Sequence, residues 1–428
     1  MDIDQAYTFA ARALLGAGLG FAGLNLAAWL ALRLLPGRGM LRKDKDRWMP
    51  RRLLSLYERE DNHKWFDLDT PEEFRAYWKE TVPTAIDIDY EPLSEFRHRP
   101  MQGRFWNVSP HGFREVANQG PWPPSGANYN IFFFGGSTAY HVGPDWTSIP
   151  SRLQTHLRRR RGKPVCVYNF GRCAYFSSQE KVLFLQLLVE GHRPDVAVFL
   201  DGLNDSVRAD GATATSTMYR ELLRERSSQE RELAEFQIRA RVRWIRLRLF
   251  LSSLPLVRLT CYAAEVLAAR RTEDERRVRP PYEPYSADQI REVVDRMLAN
   301  YGQILAAAVH SGVEPLFVVQ PVPSYKYDIS LHKATAYGQG LNEAVRDVYP
   351  ALLDALDRSE TIREHVIDLS AMQENSTKNH YLDEVHYTAE FADEVASRLA
   401  DEFAARSDAG QGPRPDETNH DGGAACWR

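Results

Sequence analysis

The sequence predicts an α/β fold in which a parallel, five-stranded sheet carries helices on both faces. Two observations predict it. Five short apolar runs, Asn130–Phe134, Pro164–Phe170, Asp195–Leu200, Glu314–Val319 and His365–Leu369, are bounded by turn residues or helical stretches. Stretches of helical period alternate with them, at Ile149–Arg161, Ser178–Glu190, Ala287–Val309, Thr335–Leu356 and Ala389–Ala404. Strands alternating with helices build parallel sheets, and such sheets bind ligands beyond the carboxyl ends of their strands.

The composition suits a folded core. The chain has 428 residues, 43% hydrophobic and 26% charged, enough for one large domain or two ordinary ones. Lys and Arg number 54 against 58 Asp and Glu, and a net charge of -4 gives no bulk attraction for nucleic acid. The four cysteines, Cys166, Cys173, Cys261 and Cys426, are too scattered for a disulfide framework and form no C-x-x-C pair, so a cysteine zinc site is not expected.

The N-terminus departs from this average. Ala13–Leu32 reads ALLGAGLGFAGLNLAAWLAL, with Asn25 its one strongly polar residue. Twenty helical residues rise about 30 Å, the thickness of a bilayer core. A single membrane anchor is the expectation. A buried core helix is the plain alternative; a cleaved signal peptide fits less well, because Asp2 and Asp4 precede the run and no small-x-small cleavage site stands out. Arg33, Arg38, Arg42, Lys43, Lys45, Arg47, Arg51 and Arg52 follow it, a charge bias that favours a cytoplasmic location for the domain that follows.

The remaining organisation follows in chain order. Residues 1–52 form the anchor and a basic juxtamembrane segment. Residues 53–129 form an aromatic, charged lead-in expected to pack on the α/β domain, with a helical fragment around Pro71–Thr81. Residues 130–404 form that α/β domain, and 405–428, rich in Gly, Asp, Pro, Ser and Asn, a disordered tail. A helical insertion, 211–285, interrupts the alternation. Its first half, Met218–Ile238, reads as a charged helical face. Its second half interleaves Arg239, Arg241, Arg243, Arg246 and Arg248 with Trp244, Ile245, Leu247, Leu249, Phe250 and Leu251. That pattern suits a helix at an anionic membrane surface or a helical lid with solvated arginines, and Pro255 should end or kink it.

Four strand ends carry chemistry. The first gives FFFGGSTAYH, where two glycines let the backbone turn sharply and leave Ser137 open to a ligand; a phosphate-binding turn would read similarly. No Walker lysine follows, which weakens a nucleotide reading. The second gives VYNFGRCAYFSSQ, where Gly171 offers a backbone N–H without a side chain in the way. The third gives VFLDGLNDS. Asn204 is there an amide donor or an Asx-turn former, and Asp205 can brace the loop. The last gives HYLDEVHYT before the final helix. Asp383 and His386 are close enough for a carboxylate to orient an imidazole, though metal ligation fits the same spacing. Together they make a coherent set: Ser137 as nucleophile, His386 as general base and then acid, Asp383 as its orienting partner. The Ser137 N–H, the Gly171 N–H and the Asn204 side chain would serve as the oxyanion hole. Tyr325 and Lys326, just past the fourth strand, are candidate substrate contacts, whereas His141 is expected on a solvated helix face and Cys166 and Cys173 as inert thiols.

On these motifs the chain resembles the SGNH (GDSL-type) hydrolases, with Ser137 in FGGST, Gly171 in NFG, Asn204 in GLND and His386 in DEVH. Asp383 matches the acid before the family's histidine, and Asn107–Glu115, NVSPHGFRE, resembles the lead-in of bacterial members. Two departures stand out: Gly136 replaces the usual aspartate of G-D-S, and Ala174 stands where many relatives carry a second glycine. The resemblance implies a flavodoxin-like three-layer α/β/α sandwich, no metal or cofactor, and hydrolysis of acyl or acetyl esters of a lipid or glycan. Acyl transfer to a surface glycan uses the same groups, and a catalytically silent scaffold or binding protein of the same fold is the reading from another class.

Overall fold

The computed structural model describes residues 3–34, 60–81, 88–160, 162–208, 254–257, 259–260, 282–332 and 343–409. The chain divides into two compact units, Met1–Ser55 with Ala212–Pro284, and Leu56–Gly211 with Tyr285–Arg428.

In the first unit, helix α1 spans Ile3–Leu34, and its segment Ala11–Ala31 is long and apolar enough to cross a membrane. Phe9, Leu14, Leu15, Leu19, Phe21, Leu24 and Leu26 are all exposed along it. Asn25 donates to the Phe21 carbonyl of its own helix at 2.9 Å and accepts the Leu256 N–H at 3.1 Å. Residues 255–257 are helical with Pro255 first, as its fixed φ and missing N–H allow at a first helical position; the segment that Pro255 was expected to end or kink lies outside the described residues. The Arg-rich stretch of the insertion and the basic residues from Arg38 to Arg52 lie outside the described residues.

The second unit is built on a sheet. After helix α2 (Pro71–Thr81) come a hairpin, β1 (Ile88–Glu91) and β2 (Glu95–His98), then strand β3 (Tyr129–Gly135). Next are a single helical turn α3 (Ser137–Tyr140), helix α4 (Ile149–Leu157), strands β4 (Arg159–Arg160) and β5 (Lys163–Asn169), and helix α5 (Ser177–Val189). Strand β6 (Val196–Asp201) leads into the turn α6 (Leu203–Ser206). Helix α7 (Ala287–His310), strand β7 (Glu314–Val319), helix α8 (Ala344–Arg358), strand β8 (Val366–Asp368) and helix α9 (Ala389–Ala409) complete it.

The sheet order is β4-β5-β3-β6-β7-β8, with all pairs parallel except β4 with β5. Counting the parallel strands alone in chain order gives 2-1-3-4-5, the flavodoxin-like doubly wound order. The sheet has six strands where five were expected. The sixth is the two-residue β4, drawn from what reads in sequence as the end of a helix. Arg158 adopts φ 43° and stops α4, and Gly162 at φ 75° turns the chain back, so Arg159 and Arg160 pair antiparallel with β5. A short, basic edge strand also discourages further pairing.

Alternation along the strands divides the core in two. Phe132, Phe134, Tyr168, Ala197, Phe199 and Phe317 face α5, α7 and α8. Ile131, Phe133, Val165, Val167, Val198 and Val318 face α4 and α9. This is the three-layer sandwich, and burial on both faces explains why β3 and β6 read as unbroken apolar runs. Helix α9 continues to Ala409, past the expected domain end at 404; residues 410–428, where the disordered tail was expected, lie outside the described residues. So does 333–342, which includes the start of the helix expected at Thr335–Leu356.

Candidate active site

Strand order reverses between β3 and its neighbours β5 and β6, which opens a crevice beyond their carboxyl ends. Ser137, Gly171 and Asn204 all follow these three strands directly.

Ser137 is the first residue of the turn α3. Its neighbours Thr138, Ala139 and Tyr140 are buried while it remains partly exposed. As a first-turn residue its N–H has no acceptor within the helix. Gly136 before it has ordinary extended backbone (φ -78°, ψ -153°), so its need for glycine comes from close approach: an added Cβ would collide with Nδ2 of Asn204. The Asn204 amide is thereby packed against the turn that carries Ser137.

Asn204 reaches that position because Gly202, at φ 113° against Tyr349, turns β6 sharply into α6. Its Nδ2 donates to the Tyr175 carbonyl at 2.6 Å, which leaves the second amide hydrogen for a ligand. Asp205 is fully buried and accepts from Ser177 N (3.2 Å) and Oγ (2.6 Å), bracing this loop against the start of α5. Gly171 is buried, and its N–H donates to Oδ1 of Asn169 at 3.0 Å. Asn169 also donates to the Ala139 carbonyl at 2.9 Å, so one side chain ties the second loop to α3. Ala174, three residues on, is exposed and left-handed at φ 60°.

Asp383 and His386 form a tight local unit. Oδ1 of Asp383 accepts the N–H groups of Val385 (3.0 Å) and His386 (2.9 Å), and Oδ2 accepts from His386 Nδ1 at 2.7 Å. The bond to Nδ1 makes Nε2 the imidazole's remaining basic nitrogen. Nε2 is buried with no hydrogen-bond partner among the described residues. Burial lowers the His386 pKa, but the Asp383 carboxylate, its hydrogen bond and nearby Glu384 outweigh burial and raise it above the ordinary imidazole value.

Two buried arginines that the sequence reading did not single out organise the surroundings. Arg114, from NVSPHGFRE, has a fully buried side chain that donates to the carbonyls of Tyr140 (2.6 Å), His141 and Gly143 (2.6 Å). It also bonds Asp145 at 3.1 Å and lies 3.6 Å from the Trp106 ring centroid. The carbonyl end of the turn that carries Ser137 is thus capped by a cation from the lead-in. Arg172, after β5, pairs with Glu91 at 2.5 Å and bonds Tyr175 Oη at 2.8 Å. Only the sequence similarity around Arg114 hinted at either, since arginine-to-carbonyl contacts leave no pattern at the acceptor.

Other expected positions fall as follows. His141 is buried at 1% exposure, with Nε2 2.9 Å from Thr147 Oγ1; the expected solvated helix face does not form because α3 stops at Tyr140 and His141 turns left-handed at φ 68°. The Tyr325 ring packs edge-on against Tyr349 (centroids 5.2 Å apart), while Lys326 is exposed with its ammonium 3.6 Å from Glu374. Burial pushes the Cys173 thiol up to about 12, and that of buried Cys166 upward, so both are poor thiolates at neutral pH. Among the described residues no group of three or more His, Cys, Asp or Glu side chains is placed to hold a metal ion.

No protein-family model and no curated protein matches the sequence. In structure the chain is similar to a member of the lipolytic protein G-D-S-L family from Veillonella parvula (12% identity, 65% of this chain and 98% of that one, TM-score 0.34). It is similar to Est24, a carbohydrate acetylesterase from Sinorhizobium meliloti (14% identity, 65% and 100%, TM-score 0.33). It is similar also to the psychrotrophic esterase EstA from Pseudoalteromonas sp. (10% identity, 66% and 100%, TM-score 0.32).

Proposed function

We propose that this chain is a membrane-anchored serine esterase of the SGNH type, cleaving an acyl or acetyl ester of a lipid or glycan. The observation that carries the reading is the His386–Asp383 pair: a half-buried imidazole, oriented by a carboxylate through Nδ1 and left with a buried Nε2 without a hydrogen-bond partner among the described residues, in a chain whose β3 is followed by a partly exposed serine at a helix start.

The chemistry follows from these groups. Ser137 Oγ attacks the ester carbonyl carbon as its proton passes to His386 Nε2, and Asp383 stabilises the resulting imidazolium. The carbonyl oxygen becomes an oxyanion, received by the Ser137 N–H and the second amide hydrogen of Asn204. The Gly171 N–H contributes by sharing its bond with Asn169. Collapse of the intermediate expels the alcohol, which takes the proton from His386. Water, activated by the same imidazole, then releases the acid and regenerates Ser137. A sugar hydroxyl in place of that water would give acyl transfer. The apolar helix α1 would serve as the anchor, with Tyr325 and Lys326 as candidate contacts for substrate.

The test is hydrolysis of a short-chain ester and of an acetylated glycan by the full chain and its Ser137→Ala and His386→Ala variants. Loss of at least ~10³-fold in kcat in both variants supports the reading. Undiminished hydrolysis by Ser137→Ala refutes it.

A further inference from the structure

We infer that Gln320, just past the end of β7, is a positioning residue that sets the register between the nucleophile's turn and the histidine loop. The inference rests on the assignment of Ser137 and His386 above, and names a residue that no part of that assignment uses.

Gln320 is 2% exposed. Its Oε1 accepts the hydroxyl of Thr138, the residue after Ser137, at 2.6 Å. On the other side stands Tyr387, the residue after His386: its hydroxyl donates to the Pro321 carbonyl at 2.7 Å and lies 3.4 Å from the same Oε1. The Gln320 backbone is held as firmly. Its N–H donates to the Asp201 carbonyl at 3.1 Å and its carbonyl accepts from Tyr349 Oη at 2.9 Å. The chain neighbours of the proposed nucleophile and base therefore meet on one dipeptide, Gln320–Pro321, that is itself fixed to β6 and α8.

The physical consequence is distance control. Ser137 sits on a one-turn helix and His386 in a loop, and neither element is long enough to hold its own orientation. Proton transfer from hydroxyl to imidazole needs hydrogen-bond separation, and small misplacements cost large factors in rate. Gln320 touches neither reacting atom; it acts through Thr138 and Tyr387.

The test compares fluorophosphonate labelling of the full-length wild type with Thr138→Val, Thr138→Ala, Thr138→Ser and Gln320→Met, alongside melting temperature and the pH dependence of labelling. The inference expects Val, Ala and Met variants that fold to label at least ~10-fold more slowly at saturating probe, with little change in the half-saturating concentration. Thr138→Ser, which keeps the hydroxyl, should label near the wild-type rate. The acidic midpoint should not move, because the His386–Asp383 pair is untouched. The alanine variant and Gln320→Met keep the comparison readable if the site rejects valine. Wild-type labelling rates in folded Ala or Met variants, or a serine variant as slow as alanine, overturn the inference. A wild type that does not label at all instead overturns the esterase reading on which it rests.

Discussion

Thr138 and Gln320 stand 182 positions apart in the chain and are joined by a buried 2.6 Å hydrogen bond. That bond ties the turn after the first parallel strand to the end of the fourth.

Asp383→Asn should lower kcat by about 10³–10⁴-fold while leaving the loop in place, because the amide disturbs the imidazole's tautomer and withdraws support from its charge. The Asp383 carboxylate raises the His386 pKa, and the base works only when neutral. Its removal should therefore move the acidic limb of the kcat/KM profile to lower pH. A pH–rate series on both proteins checks the direction.

The same pair makes a stability prediction. His386 binds its proton more tightly folded than unfolded, so its contribution is complete below the ordinary imidazole pKa of ~6.5 and fades as pH rises through the folded value. The difference in melting temperature between wild type and His386→Ala should be larger at pH ~6 than at pH ~9.

Asn204→Ala should reduce kcat by about 10²–10³-fold with KM little changed, as expected for a donor used mainly in the transition state. Gly136→Ala should have a similar effect, since its Cβ would displace the same amide. The double variant should be no worse than the more damaging single one, because both remove one donor. Steady-state kinetics of the three variants decides this.

How much of the site was legible in sequence depended on separation along the chain. Asp383 and His386 are three apart, and their local hydrogen bonds follow almost directly from the spacing. Ser137, Gly171 and Asn204 were legible because each directly follows an apolar strand, and the five main strands were visible because burial on both faces removes polar residues from them. Gln320 was not legible: a glutamine after a strand has no pattern that names a threonine 182 residues earlier. His141 was misplaced because a helix of one turn cannot be told from the start of a longer one by periodicity. The edge strand β4 was missed for the opposite reason, a left-handed arginine ending a helix that its sequence would continue.

Arg114→Met should destabilise the protein by about 3–5 kcal/mol, because it leaves buried Asp145 without its cation and the carbonyls of Tyr140, His141 and Gly143 without their donor. Adding Asp145→Asn should recover part of the loss. Denaturant unfolding of wild type, single and double variants measures both effects.

Glu180 and Asp201 are fully buried together, and neither Glu180 oxygen has a donor among the described residues. Desolvation first, then the charges of Asp201 and Asp205 on Glu180 and of Asp205 on Asp201, raises both acids well above the carboxylate range. An acid whose folded pKa is raised costs stability as pH climbs above its unfolded value. Glu180→Gln should therefore flatten the decline of melting temperature between pH ~5 and ~9, with ester hydrolysis retained.

The most direct test of the central claim is to treat the full chain with a fluorophosphonate and locate the adduct by peptide mass spectrometry. The account predicts a single phosphonylated residue, Ser137, with labelling abolished by His386→Ala and sharply slowed by Asp383→Asn. An adduct on another serine, or labelling of Ser137 indifferent to His386, would contradict it.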